Sequence, residues 1–139
     1  MDTKYAIALH ILAYIAESED EVTSEMLAIS VGTNASHIRK IITLLKDANI
    51  LESQQGKIGI KLKVKPEDLS LDKVYNAVYP KKELLHIHDT GNPECPVGAH
   101  IQQVLIPFFE DSQNRLIQGL QGKTLQALIQ DLYQSAKEK

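Results

Sequence analysis

The sequence predicts a mainly α fold with a small β-hairpin wing, a winged helix-turn-helix followed by a long C-terminal dimerisation helix. Three observations carry this prediction. Residues 23–64 read in order as helix, sharp turn, helix and two-stranded ribbon. Within that stretch Ile38, Ile41, Ile42 and Leu45 fall at i, i+3, i+4 and i+7, one buried face of a helix over 35–48. Further on, a stripe of Ile101, Val104, Leu105, Phe108, Phe109, Leu116 and Leu120 follows a helical period from 97 to about 120. A small wing domain is too little to cover a helix of that length, so a second subunit is the expected cover.

The elements follow from local patterns. Residues 4–16 place Tyr5, Leu9, Leu12 and Ala16 on one stripe with Ala8, Ile11 and Ile15 beside it, a core helix rich in Ala and Leu. His10 within it reads as a structural histidine. The acidic run 17–21 makes a polar loop. Thr23 or Ser24 is a suitable N-cap for a helix to Val31, with Met26, Leu27, Ile29 and Val31 expected on its buried side. Gly32 stands where a helix end favours a left-handed residue, and Thr33 and Asn34 supply caps for the next helix.

Ile50 to Ser53 then reads as a strand, residues 54–57 as a turn and residues 58–64 as a second strand. Strict alternation puts Ile60, Leu62 and Val64 inward and Lys61, Lys63 and Lys65 outward. Pro66 ends the strand. Ser70 is placed to cap a helix over 71–78 with Leu71, Val74, Tyr75 and Val78 inward. Pro107 lies inside the long apolar helix, where a missing N–H and a steric clash predict a kink or a break. A last helix over 124–136 is capped by Thr124, with Leu125, Leu128, Ile129 and Leu132 inward. The expected organisation is a winged helix-turn-helix domain at 1–78, a sensor-type loop at 79–96 and a helical dimerisation region at 97–139.

Composition limits the function. The chain has 139 residues, 43% of them hydrophobic, enough for a real core without staples. No apolar run approaches the roughly 18 residues of a membrane span, and no signal-peptide layout opens the chain, so a cytoplasmic location is expected. One cysteine excludes an internal disulfide. The net charge of −3 argues against indiscriminate binding to nucleic acid, yet residues 33–65 hold seven Lys or Arg against two acidic residues. A basic surface in an acidic chain fits either a solvated hairpin or a DNA-binding face, and the helix-turn-helix pattern favours the second. Ser36, His37, Arg39, Lys40 and Thr43 occupy the polar face of the second helix and are the candidate groove contacts. Lys57, Lys61 and Lys63 on the ribbon are candidates for phosphates, although edge-strand lysines also discourage aggregation.

Tyr79 to Pro96 is the least regular part. It holds His86, His88 and Cys95, with His100 just beyond. These four are acceptable zinc-ligand types, but their spacing matches no established zinc motif, and solvent-facing histidines are the plainer reading. Cys95 precedes Pro96, a favoured first helical residue, which sets the thiol at a helix N-cap where the thiolate is stabilised. Cys95 is therefore the candidate redox sensor, weighed against a buried structural cysteine.

The helix at 5–16, the segment Ile41-Ile42-Thr43-Leu44-Leu45-Lys46-Asp47-Ala48-Asn49-Ile50-Leu51, the glycine-containing wing, Ser70-Leu71-Asp72-Lys73-Val74, the cysteine loop, the long helix and Thr124-Leu125-Gln126-Ala127-Leu128 together resemble the Rrf-two family of bacterial winged-helix transcription regulators. The likeness spans nearly the whole chain. It implies homodimers that cross long C-terminal helices, a recognition helix in the major groove and a wing near the minor groove. Two departures matter. The wing tip Gln55-Gly56-Lys57-Ile58-Gly59-Ile60 keeps two glycines but lacks the arginine and tyrosine found in many members, moving expected specificity onto residues 36–40. The best-known members hold an iron–sulfur cluster with three loop cysteines, whereas Cys95 stands alone here, so no cofactor is expected.

The expectation is thus a homodimeric repressor of double-stranded DNA sites with palindromic symmetry, not an enzyme and not membrane-bound, with thiol modification of Cys95 by an oxidant or electrophile as its candidate control. The alternatives are a regulator responding to a metal or small-molecule effector through the loop histidines, a thiol-dependent enzyme, or a protein-interaction module. No second cysteine stands ready to resolve a sulfenic acid, and no acid/base constellation appears, which disfavours the enzyme.

Overall fold

A computed structural model describes residues 3–54, 56, 58–80 and 90–137 of the chain. The elements run α1 (Lys4–Glu17), α2 (Ser24–Val31), α3 (Ala35–Asp47), β1 (Leu51–Ser53), β2 (Ile60–Leu62), a 3-10 turn at Pro66–Asp68, α4 (Leu71–Val78), α5 (Pro96–Leu120) and α6 (Leu125–Lys137). This is the mainly helical winged helix-turn-helix that the sequence predicts, long helix included.

Local chemistry fixes the reading pair. The Thr23 hydroxyl accepts a hydrogen bond from the Met26 N–H at 3.2 Å and starts α2. Gly32, at φ 83°, ends it. There the N–H groups of Gly32 and Thr33 both donate to the Ala28 carbonyl, a close that needs the left-handed residue glycine supplies. Asn34 Oδ1 then accepts from the His37 N–H at 2.8 Å and starts α3 two residues after the turn. Asn49, at φ 61°, makes the equivalent close after α3, with the Ile50 N–H donating to the Leu45 carbonyl.

On α3 the four residues of the predicted stripe, Ile38, Ile41, Ile42 and Leu45, are all buried. They join Ala8, Ile11, Leu12 and Ile15 of α1, Leu27 of α2, Ile50, Leu51 and Leu69, Val74 and Val78 of α4, and Leu125 and Ile129 of α6 in one apolar core. Tyr5 donates its hydroxyl to the Leu71 carbonyl at 2.8 Å and meets Tyr75 edge-on, tying α1 to α4. His10 is exposed, its Nε2 2.9 Å from Ser30 Oγ on α2.

The structure corrects several expectations. On α2 the buried residues are Leu27 and Ala28, whereas Met26 is 37% and Ile29 83% exposed and Val31 is half-buried. Both sides of this helix are apolar, so its period cannot select the face that packs on α1 and α3. Leu132 of α6 is also exposed, beyond the part of the helix that reaches the core. The ribbon is shorter than expected because only Leu51↔Leu62, Glu52↔Lys61 and Ser53↔Ile60 pair. The Ser70 side chain forms no cap. Instead its backbone bridges Thr124, with the Leu71 N–H donating to the Lys123 carbonyl and the Leu125 N–H to the Leu69 carbonyl. Those bonds return α6 to the start of α4.

α5 runs unbroken through Pro107, and none of its 25 residues is buried. Val97, Val104 and Phe108, at i, i+7 and i+11, lie on one exposed face, with Val97 and Phe108 each 67% exposed. Among the described residues no helix is long and apolar enough to cross a membrane.

Candidate nucleic-acid interface

The core grips one face of α3 and leaves the other in solvent. Ser36, Arg39, Lys40 and Thr43 are exposed there, and His37 is half-buried. Arg39 and Thr43 line a cleft of about 370 Å³ between α2, α3 and the wing, together with Thr23, Glu25, Lys46 and Ser53. Across it Arg39 Nη1 stands 3.6 Å from Glu25 Oε1. The Thr43 hydroxyl donates to the Arg39 carbonyl at 2.9 Å, so toward an outside ligand it offers lone pairs and a methyl group. The Lys46 ammonium donates to Ser53 Oγ at 2.6 Å and joins α3 to β1.

The wing lysines are placed differently. Lys61 lies opposite Glu52 in the ladder, with Nζ 3.5 Å from Oε1, and lines a second cleft with Glu19, Asp20 and Glu21. Lys63 donates to Asn49 Oδ1 at 3.3 Å, at the C-terminal end of α3. Lys57 lies outside the described residues. The structure thus gathers Arg39 and Thr43 into the cleft but not Lys61, which faces the acidic loop. It also adds Glu25, Lys46 and Ser53. Lys46 was accessible to sequence reasoning, since 39, 43 and 46 stand at i, i+4 and i+7. Glu25 and Ser53 reach the cleft only through tertiary packing.

A larger apolar groove of about 660 Å³ runs between α1 and α6, lined by Leu9, Ala13, Tyr14, Leu128 and Leu132 among others. It lies on elements other than α3 and the wing. Tyr133 there donates its hydroxyl to the Glu17 carboxylate, which pushes the Tyr133 pKa up.

Cys95 is exposed at the N-cap of α5, with Pro96 in the first turn, so it is not a buried structural cysteine. The amides of Gly98 and then Val97 lower its thiol pKa by favouring the thiolate. The preceding turn is tight: the Cys95 N–H donates to the Asn92 carbonyl at 3.1 Å, and the Glu94 N–H to Asn92 Oδ1 at 3.0 Å. A Cβ on Gly98 would meet the Asn92 carbonyl oxygen at 2.7 Å, closer than such atoms approach, so this turn requires glycine there. His100 Nδ1 is 3.0 Å from Gln103 Nε2. His86 and His88 lie outside the described residues, and among those described no three His, Cys, Asp or Glu gather as a metal site.

A helix-turn-helix with an exposed basic face beside a two-stranded ribbon defines a winged-helix DNA-binding protein. The model of the Rrf2 (Rrf-two) family, described as "Iron-dependent Transcriptional regulator", matches residues 1–131. A Bacillus subtilis (strain 168) protein named "Putative HTH-type transcriptional regulator YwnA" is 41% identical over 133 residues, covering 96% of this chain and 99% of the relative. The chain is also similar to a solved structure called "a putative DNA binding protein", at 40% identity and a TM-score of 0.72, covering 91% of this chain and 98% of the other. CymR of B. subtilis, "the Global Cysteine Regulator", shares the fold at 15% identity and a TM-score of 0.65, over 94% of this chain and 95% of its own. The chain belongs to the Rrf2 family and is a transcription regulator, not an enzyme. The family description implies iron, but the donor set does not fit a thiolate-held cluster: the chain contains one cysteine.

Proposed function

We propose that this regulator is a homodimeric repressor that binds a palindromic operator, reading bases from α3 and controlled at Cys95. The observation that carries the reading is the two-sidedness of α3: four buried apolar residues fix its pose while Ser36, Arg39, Lys40 and Thr43 face outward beside the wing. A helix held in this way can enter a major groove without rearranging the core, with Arg39 the natural bidentate partner of a guanine edge. His37 completes the groove set. Lys57, Lys61 and Lys63 serve phosphates. Lys61 and Lys63 must exchange Glu52 and Asn49 for phosphate, which makes each worth less than an unpaired lysine.

Dimerisation rests on α5, whose exposed stripe of Val97, Val104 and Phe108 is costly to leave in water and suits an isologous contact. The organisation proposed is a reader at 1–78 and a dimerisation region at 97–139, with the sensor segment 79–96 between them, of which 81–89 lie outside the described residues, and with Leu125 and Ile129 also serving the reader's core. Cys95 lies at the root of that helix. Its thiolate can attack a peroxide: an S–O bond forms as the O–O bond breaks, giving a sulfenic acid and an alkoxide or hydroxide that takes up a proton. Modification there alters the start of α5 and hence the spacing of the two readers.

Selection of bound duplexes from random DNA, with and without peroxide, tests the proposal. The expected result is a two-fold symmetric site with fixed half-site spacing, lost or weakened on oxidation and retained by the Cys95→Ser variant. Enrichment of no sequence would refute the DNA reading. Equal sensitivity of wild type and Cys95→Ser to peroxide would refute the control.

A further inference from the structure

Glu25 is the anomaly of the candidate interface. A carboxylate in a cleft that should meet polyanionic DNA opposes binding, and the other charged groups lining that cleft, Arg39 and Lys46, are cationic. Stability does not account for it. The Arg39 and Glu25 side chains are 58% and 70% exposed, and pairs of that kind contribute little to folding. Its placement is nevertheless well defined. Glu25 lies in the first turn of α2, directly after the Thr23 cap, where the helix end favours a negative charge. The neighbouring Leu27 and Ala28 anchor α2 to the core. Opposite, the Arg39 carbonyl accepts the Thr43 hydroxyl.

A guanidinium presents five N–H donors in a fixed planar fork. A carboxylate 3.6 Å from one nitrogen of that fork biases its orientation through charge, without a hydrogen bond, and leaves the remaining N–H groups to meet a pair of acceptors. Guanine O6 and N7 form such a pair, and a phosphate or a mismatched base edge satisfies the oriented fork less well. The same carboxylate repels the backbone of any duplex, a penalty that is offset only where Arg39 makes its full base contact.

We propose that Glu25 is a specificity-determining positioning residue, which orients Arg39 and penalises duplexes that lack the matching base edge. The inference rests on the reading of Arg39 as a groove contact. Removing the charge then strengthens binding to random DNA more than to the operator, and removing the whole side chain also frees Arg39 to rotate.

The test measures Kd for the selected operator and for a scrambled duplex of equal length, at two salt concentrations, using Glu25→Gln, Glu25→Ala, Arg39→Ala and the Glu25→Ala/Arg39→Ala double variant. All the altered side chains are exposed, and matched thermal melts verify folding. Both Glu25 variants should bind the scrambled duplex several-fold more tightly, with the operator-to-scrambled ratio falling roughly five- to tenfold, within the range of one base contact. Glu25→Ala in the Arg39→Ala background should leave the ratio unchanged. A ratio unmoved by both single Glu25 variants overturns the inference, as does an equal fall in the Arg39→Ala background. If Arg39→Ala itself leaves the ratio intact, the reading of Arg39 fails, a result visible without any Glu25 variant.

Discussion

Replacing Phe108 by alanine is the sharpest test of the proposed dimer. Phe108 is 67% exposed on α5, in line with Val97 and Val104. An aromatic side chain presents about 200 Å², so about 130 Å² of this one stands in water. At about 25 cal/mol per Å², full cover by a partner would be worth about 3 kcal/mol per protomer, and a symmetric dimer contains the contact twice. With half of that area covered, and both copies counted, Phe108→Ala costs about 3 kcal/mol of dimer free energy, roughly a hundredfold in the dissociation constant. The chain itself should fold as before, because no α5 residue is buried and alanine favours helix. Sedimentation equilibrium from nanomolar to micromolar protein measures the constant, with Gln102→Ala, exposed on the opposite face of α5, as the control. A Phe108→Ala dimer within threefold of wild type would refute the assignment of this stripe to the interface.

Asn34→Ala removes the acceptor for the His37 N–H and should lower stability by about 1 kcal/mol, read as a shifted urea midpoint with unchanged slope, while Asn34→Gly should cost only a few tenths. Burial, and then the negative charge of Asp72 and the neighbouring Tyr75, push the Tyr5 pKa from 10 up to about 12. The unfolded chain ionises this phenol first, so its stabilising contribution is full below pH 10 and is lost as pH rises toward 12. Tyr5→Phe should flatten the fall in stability over that window and cost about 1 kcal/mol at neutral pH through the lost bond to Leu71, and an unaltered pH profile would exonerate Tyr5. Alkylation of Cys95 by iodoacetamide should follow a titration midpoint below that of the unfolded chain, and Gly98→Ala, which forces the Asn92 turn off the helix start, should raise that midpoint. Coincident midpoints for folded and unfolded chains would contradict an activated thiol.

The sequence spoke most clearly where one residue pattern had one physical outcome. α3 alternates apolar and polar residues on a clean helical period, so its four inward residues could be named in advance, and Asn34 is one of the two N-terminal caps that the sequence offers. α2 defeated the same method because Met26 and Ile29 are apolar yet point outward, and only the packing on α1 and α3 decides which side is covered. The tie from residues 69–71 to 123–125 is made of backbone hydrogen bonds between segments more than fifty residues apart, which no local signal encodes. For the site, Arg39 and Thr43 were legible from the helix face. Glu25 was not, because its partnership depends on how α2 crosses α3.

Under the proposed reading these pairings bear on why two copies are needed. Each cation described near α3 and the wing apart from Lys40 and Lys65 has a polar or acidic partner within the chain: Arg39 with Glu25, Lys46 with Ser53, Lys61 with Glu52 and Lys63 with Asn49. At these four residues binding DNA exchanges partners instead of satisfying free charges, so each contact they make returns less than its full electrostatic value. One reader on one half-site therefore binds weakly. Two readers joined through α5 bind the second half-site as an intramolecular event, and the effective concentration set by the dimer restores the affinity that pairing removes. Control then acts most economically on the joint between readers, and the exposed Cys95 thiol stands at the N-terminus of the helix that forms it.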